Sequence, residues 1–238
     1  MIKTLTIKTT DMPSPLNSIE ACVFDAYGTL FDVASAANHC RDDLGELAQP
    51  LSDLWRTRQV EYSWLRSLMQ EYTDFWQVTG DALDFALASL NIDNPALRDR
   101  LMDIYKRLDA YPEVPEVLST LNNNGIRCAI LSNGSPDMLA SAVDNAGIAS
   151  SLEAILSVDE IGIYKPHPDV YQMAVDKLGV KRENICFMSS NGWDAAGAAS
   201  FGFQVLWVNR FSAEQERLPA EPTGILSSLR GLPDKLGL

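Results

Sequence analysis

The stretch Ala21-Cys22-Val23-Phe24-Asp25-Ala26-Tyr27-Gly28-Thr29-Leu30 decides the fold. Four apolar residues in a row read as a buried strand. The carboxylate that follows, with Gly28 permitting a sharp turn, reads as the strand's end. Three later runs repeat the pattern: Ile126 to Leu131, Ile185 to Met188 and Gln204 to Val208. Each ends in polar residues and then takes on helical character. Alternation of this kind predicts an α/β fold, a doubly wound and mostly parallel sheet with helices on both faces.

Between the first and second runs the pattern changes. Residues 34–110 are rich in helix formers and contain no strand-like run. Leu54, Trp55, Tyr62, Leu65, Leu68 and Met69 suggest one long amphipathic helix. Pro112 and Pro115 mark the return to the α/β pattern. The expected organisation is an N-terminal extension, 1–18; a core built from 19–33 and 111–238; and an inserted helical cap subdomain, 34–110.

The chain has 238 residues, 46% hydrophobic and 21% charged, as an ordinary globular protein does. No stretch reaches the ~18 apolar residues of a membrane span, and Met1 to Ser18 lacks the apolar run of a signal peptide. Cys22, Cys40, Cys128 and Cys186 form no CxxC pair and read as reduced packing residues of a cytoplasmic protein. The net charge of -13 argues against nucleic acid and anionic membranes as partners. It also means that an anionic substrate would have to be held by fixed local cations. His39 and His167 are the only histidines, so histidine-based metal clusters and triads are poorly supplied.

In open α/β sheets ligands bind beyond the carboxyl ends of the strands. The residues there are Asp25, Ser132-Asn133, Ser189-Ser190-Asn191 and Asn209-Arg210. Alone, Asp25 reads equally well as a turn-capping residue. Pro136 sits where it could open a helix, whose free N–H groups together with the Ser132 hydroxyl could hold an anion. Lys165, ahead of Pro166, is kept out of helix, and Asp194 supplies a second carboxylate.

Taken together, Phe24-Asp25-x-Tyr27-Gly28-Thr29-Leu30, Leu131-Ser132-Asn133-Gly134, Tyr164-Lys165-Pro166 and Ser189-Ser190-Asn191-x-Trp193-Asp194 resemble the four ordered motifs of the haloacid dehalogenase superfamily. Leu54-Trp55-Arg56 and Glu61 to Met69 are similar to its L-2-haloacid dehalogenase branch. The resemblance implies a Rossmann-like core. It also implies hydrolysis of small anionic L-2-haloalkanoic acids to D-2-hydroxy acids and halide, through an ester on Asp25, with no metal and no cofactor. It makes Asp25 the nucleophile and Lys165 its ionic partner. Arg56 and Asn191 become the halide-binding groups, and Asp194 the residue that activates water, aided by Ser189. Thr29 and Tyr171 hold the arrangement. Ala26, Tyr27, Phe75, Ser132, Asn133 and Trp193 join Arg56, Tyr171 and Asn191 in contact with substrate. One departure is Thr57, where relatives carry Gln; it bears on substrate range.

The superfamily also contains magnesium-dependent phosphomonoester hydrolases, which carry a second aspartate two residues after the nucleophile as general acid. Here that position is Tyr27. A departing halide needs no proton, and Lys165 and Arg56 would compete with a metal cation, so the residues favour the dehalogenase. A non-catalytic binder would need neither a nucleophile nor a second carboxylate. Finally, Trp64, Leu68, Met69 and Tyr72 add apolar area to the insert and predict a homodimer through it.

Overall fold

The computed structural model describes residues 16–33, 36 and 39–238. Residues 1–15 of the expected extension, and 34, 35, 37 and 38 at the start of the expected insert, lie outside the described residues. Six strands form one sheet: β1 (Ala21–Phe24), β2 (Arg127–Ser132), β3 (Ala154–Ser157), β4 (Ile185–Ser189), β5 (Gln204–Val208) and β6 (Gly224–Leu226). Their order is β3-β2-β1-β4-β5-β6, and every neighbouring pair is parallel. β1 is central and wholly buried, as its unbroken apolar run requires. The strand order reverses direction beside β1, and the crevice at that switch point opens over the ends of β1, β2 and β4.

Two strands, β3 and β6, were not expected. Both lie at the sheet's edges and are half-exposed, and their apolar runs are three residues or shorter.

Helices α1 (Arg41–Leu44), α2 (Ala48–Met69), α3 (Phe75–Ser89) and α4 (Pro95–Tyr105) lie between β1 and β2 in the chain. The others are α5 (Val114–Asn123), α6 (Pro136–Ala146), α7 (Pro168–Leu178), α8 (Gly192–Phe201) and α9 (Leu232–Leu236). Helices α6 and α7 open with proline, whose missing N–H costs nothing there, and close on the left-handed glycines Gly147 and Gly179. Asp74 and Asn94 cap α3 and α4 by accepting from the N–H groups of Gln77 and Leu97. Among the described residues no helix is long and apolar enough to cross a membrane.

The long helix is present, but its buried face differs from the expected one. Leu51, Trp55, Gln59 and Ser63 point inward at four-residue spacing. Leu68 and Met69 are 81% and 65% exposed. Half of the apolar residues that suggested the helix therefore face outward, and two polar ones face inward.

Two glycines fix the turns that carry site residues. Gly28 has φ +89°, and a Cβ there would stand 2.8 Å from Ser190 Oγ. Gly197, inside α8, lets that helix approach its neighbours. A Cβ on it would meet Pro166 Cβ and Tyr171 Oη, each at 2.6 Å. In an open helix Gly→Ala gains about 1 kcal/mol. At Gly197 overpacking of about 1–3 kcal/mol opposes that gain. Gly197→Ala is expected to lower stability in urea denaturation; a rise would show that α8 is free to shift.

Candidate active site

Asp25 follows β1 directly, and its N–H donates to the Met188 carbonyl of β4 at 2.8 Å, which continues the strand pairing to the carboxylate itself. The side chain is 5% exposed. Its two oxygens are treated differently. Oδ2 accepts from Asn191 Nδ2 (2.8 Å), Thr29 Oγ1 (3.1 Å) and Ser189 Oγ (3.3 Å). Oδ1 accepts from Lys165 Nζ at 3.2 Å.

Lys165 comes from the loop before α7 and is 1% exposed. Its backbone N–H donates to Asn133 Oδ1 (3.0 Å), which ties the loop to the end of β2. Its ammonium also donates to Asp194 Oδ2 at 2.8 Å and lies 4.9 Å from the centre of the Phe187 ring. Burial alone would lower the Lys165 pKa, but the charges of Asp194 and Asp25 outweigh it and hold the ammonium above its ordinary range. Asp194, in the first turn of α8, is fully buried. That burial, with the charge of Asp25 adding to it, pushes its carboxyl above the usual range against the pull of Lys165 and Tyr171. Tyr171 Oη donates to Asp194 Oδ1 at 2.8 Å; its own pKa is raised by burial and by that carboxylate, so it stays a donor.

A second cation arrives from the insert. Arg56 on α2 donates through one guanidinium nitrogen to Asn191 Oδ1 (3.0 Å) and through the other to Gln59 Oε1 (2.7 Å). Asn191 thus touches Asp25 with its amide nitrogen and Arg56 with its amide oxygen. Asp25, Tyr27, Arg56, Val60, Phe75, Ser132, Asn133, Lys165, Asn191 and Trp193 enclose one cavity. Its free space is small, with room for about one water. Trp193 is braced edge-on by Trp64 of α2, with ring centres 5.2 Å apart. Tyr27 stacks on Tyr105 at 5.7 Å. Other clefts, beside Asp84 and Arg98 and beside Trp76 and Asp144, are wider but hold no buried cation against a carboxylate.

Behind Asp25 a buried ion pair fixes the frame. Arg210, just after β5, pairs with Glu113 at 2.7 Å, donates to the Thr29 carbonyl at 2.8 Å and stacks 3.6 Å over Tyr111. It joins the Asp25 turn to the segment where the chain returns from the insert. Burial would raise the Glu113 pKa, yet the bond to Arg210 leaves it lowered.

The expected residues therefore fall into three groups. Asp25, Tyr27, Arg56, Phe75, Ser132, Asn133, Lys165, Asn191 and Trp193 line the cavity. Thr29, Ser189, Asp194 and Tyr171 are buried and act on its members through the bonds above. Ala26 does not line the cavity: its carbonyl accepts from the N–H groups of Thr29, Leu30 and Phe31 and closes the turn. Nor does Tyr171, whose hydroxyl is taken by Asp194. Both were expected to contact substrate, and both lie beside the cavity-lining residues. Sequence reading missed Val60, four residues after Arg56 on the same helix face, a spacing that could have revealed it. It also missed Gln59, Thr79 and Tyr105, which lie behind Arg56.

Comparison with known proteins agrees with this geometry. The profile of the family described as haloacid dehalogenase-like hydrolase matches residues 19–202. The (S)-2-haloacid dehalogenase 1 of Pseudomonas sp. (strain CBS-3) is 48% identical over 222 residues, 93% of this chain and 98% of that protein. A crystal structure of a dehalogenase with an intermediate complex superposes with TM-score 0.91 at 46% identity, covering 93% of this chain and 98% of that one. The L-2-haloacid dehalogenase of Xanthobacter autotrophicus, solved with chloropropionic acid covalently bound, superposes with TM-score 0.84 at 39% identity, over 91% and 97% of the two chains. With the sheet order, the strand-end carboxylate and the profile all in agreement, the chain belongs to the haloacid dehalogenase-like hydrolases.

Proposed function

We propose that this hydrolase removes halide from small L-2-haloalkanoic acids, giving D-2-hydroxy acids, through an ester on Asp25 and without a metal ion. The observation that carries the reading is a buried carboxylate set between two fixed cations in a closed cavity, with Tyr27 where an acid group would otherwise stand. The names of the similar dehalogenases support the substrate class, and the covalently bound chloropropionic acid in the Xanthobacter structure supports the ester. The Lys165 ammonium lies between Asp25 and Asp194, in the space that a cation bridging the two carboxylates would need. A magnesium-dependent phosphomonoesterase is disfavoured on that ground.

The chemistry follows the unequal treatment of the two Asp25 oxygens. Oδ1, with one donor, attacks the carbon bearing the halogen. The carbon–halogen bond breaks, the electron pair leaves as halide, and Arg56 and Asn191 meet the growing charge. Ser132 at the end of β2 and Asn133 just after it, ahead of α6, hold the substrate carboxylate. Val60, Phe75, Trp193 and the Tyr27 ring keep water from the halogen. Water then attacks the ester carbonyl and gives its proton to Asp194. The oxyanion forms on Oδ2, where Thr29, Ser189 and Asn191 already donate. The Cγ–Oδ1 bond then breaks, the departing alkoxide takes the proton back from Asp194, and Asp25, left as a carboxylic acid, gives its proton to solvent, so the products are the hydroxy acid and a restored Asp25. Helices α2 to α4 act as the cap subdomain of the 34–110 insert over the core of 19–33 and 111–238.

The decisive experiment is a single turnover of L-2-chloropropionate in oxygen-18 water, enzyme in excess, with and without prior chelator treatment. Chloride release unaffected by chelator, nearly unlabelled D-lactate, and one heavy oxygen on the peptide containing Asp25 are expected. Fully labelled product in that first turnover would show direct attack by water. A magnesium requirement would return the chain to the phosphatase reading.

The pH profile gives a second test. Asp194 must be ionised to take a proton, and its pKa is raised. Burial, the largest cause of that rise, persists when Asp25 is an ester, so hydrolysis of the ester is lost, as pH falls, above the ~3.9 of an ordinary aspartate. Lys165, also raised, keeps its charge past ~10.5 on the alkaline side. An acid limb at or below the ordinary value would remove Asp194 from the role of base.

The apolar surface of α2 supports assembly as a homodimer through the insert, although not by all the expected residues. Trp64 is taken up by Trp193, and Tyr72 donates to Asp159 and lies against Tyr164, whereas Leu65, Leu68 and Met69 stay exposed. Light scattering at micromolar concentration should give twice the chain mass, and Leu68→Asp with Met69→Asp should halve it. A monomer in the unaltered protein would refute the assembly. A cytoplasmic location is supported by four free, buried cysteines.

A further inference from the structure

Gln59 is 1% exposed, stands on the inward face of α2 three residues after Arg56, and has no place in the reaction described above. Its amide is nevertheless fully engaged. Oε1 accepts from the Arg56 guanidinium at 2.7 Å. Nε2 donates to Thr79 Oγ1 at 2.7 Å, and Tyr105 Oη lies 3.1 Å from Nε2 and 3.2 Å from Oε1. Thr79 is buried as well, and its hydroxyl donates to the Phe75 carbonyl at 2.6 Å. Because the one hydroxyl proton of Thr79 is committed to that carbonyl, its oxygen can only accept from Gln59. The NH2 end of the amide must then face Thr79, and the carbonyl end must face Arg56. The helix α3 backbone thus dictates which way the amide points, and Trp55, which donates to the Thr79 carbonyl at 2.8 Å, stiffens the same junction.

Among the described residues Arg56 makes no ion pair. It is held by two amide oxygens, those of Gln59 and Asn191. A carboxylate in either place would orient the guanidinium equally well and would cancel most of its charge at such short range. A neutral amide orients it and leaves the charge free for an anion arriving in the cavity.

We infer that Gln59, set by Thr79 and Tyr105, is a positioning residue for halide departure: it aims Arg56 into the cavity and does so without neutralising it. The inference rests on the reading of Arg56 as the halide-side cation. It concerns only the first chemical step. Breaking the carbon–halogen bond delivers charge beside Arg56, whereas hydrolysis of the ester develops charge on Asp25 Oδ2, away from Gln59. A poorer leaving group needs more help from Arg56, so chloride is more sensitive than bromide.

Gln59→Glu keeps the shape and places a negative charge on Arg56. Gln59→Met keeps the volume and removes the acceptor, and it serves alone if the first variant does not fold. Arg56→Gln is the control for the underlying reading. Single-turnover halide release from L-2-chloropropionate and L-2-bromopropionate is followed beside the later appearance of lactate from the ester. In either Gln59 variant chloride release should slow about 10-fold or more, bromide release should slow less, and ester hydrolysis should keep its rate. Equal slowing of both steps and both halogens would reveal a merely structural role, and no slowing would reveal none; either overturns the inference while Arg56→Gln still slows chloride selectively. If Arg56→Gln itself shows no halogen dependence, the assignment of Arg56 fails, and the role of Gln59 with it.

Discussion

Everything in the site depends on one buried ammonium. Lys165 sits 3.2 Å from Asp25 and 2.8 Å from Asp194, with all three side chains all but sealed from water. Two carboxylates brought this close without a cation would not both stay ionised, and a lone buried ammonium would give up its proton. The triad is tolerable only as a unit, and its members come from three distant parts of the chain. One follows the central strand, one lies in the loop before α7, and one lies in the first turn of α8. Tyr171 and Asn133 then fix Asp194 and the Lys165 backbone in turn. The parallel sheet makes the meeting possible, because it delivers strand ends to one edge.

The insert contributes what the core lacks. The chain carries a net charge of -13, so its overall field opposes an anionic substrate. The answer is local: Lys165 from below and Arg56 from above, with apolar rings between them that lower the effective dielectric. The same closeness limits access. The space left in the cavity is near that of one water. A three-carbon haloacid is several times larger, so contacts that join insert to core must yield when it enters. Those contacts are the Trp64–Trp193 edge and the Tyr164 hydroxyl on the Thr73 carbonyl.

How far the sequence could be read follows from which residues signal locally. The buried strands announce themselves, since each is an apolar run stopped by a polar turn, and the site residues stand at those stops. Strands β3 and β6 stay hidden because each is a half-solvated edge strand whose apolar run is three residues or shorter. The long helix was legible from its composition, but not its orientation. Leu65 looks like core and faces outward, while Gln59 and Ser63 look like surface and face inward. A buried glutamine becomes acceptable only through Thr79, Tyr105 and Arg56, partners 20, 46 and 3 residues away, and no periodicity encodes that. Arg210 stands at a strand end, but its pairing with Glu113, 97 residues away, is hidden for the same reason.

The arrangement also explains why no charged group needs to move during the proposed first step. At rest the formal charges of Asp25, Asp194, Lys165 and Arg56 sum to zero. Forming the ester removes the negative charge of Asp25, and the departing halide takes it up on the Arg56 side. The transfer runs along Asn191, which donates to the Asp25 carboxylate at one end and accepts from Arg56 at the other. As negative charge drains from Asp25, Asn191 Nδ2 is released from a strong acceptor and becomes available to the halide, while Arg56 is already in place. Lys165, losing one partner, is left with Asp194 alone. Charge displacement within a fixed frame costs little reorganisation, which is the condition under which prearranged donors lower a barrier most. Three side chains hold the frame: Asn191 is committed to both sides, Arg56 to two amides, and Asp194 to Lys165 and Tyr171.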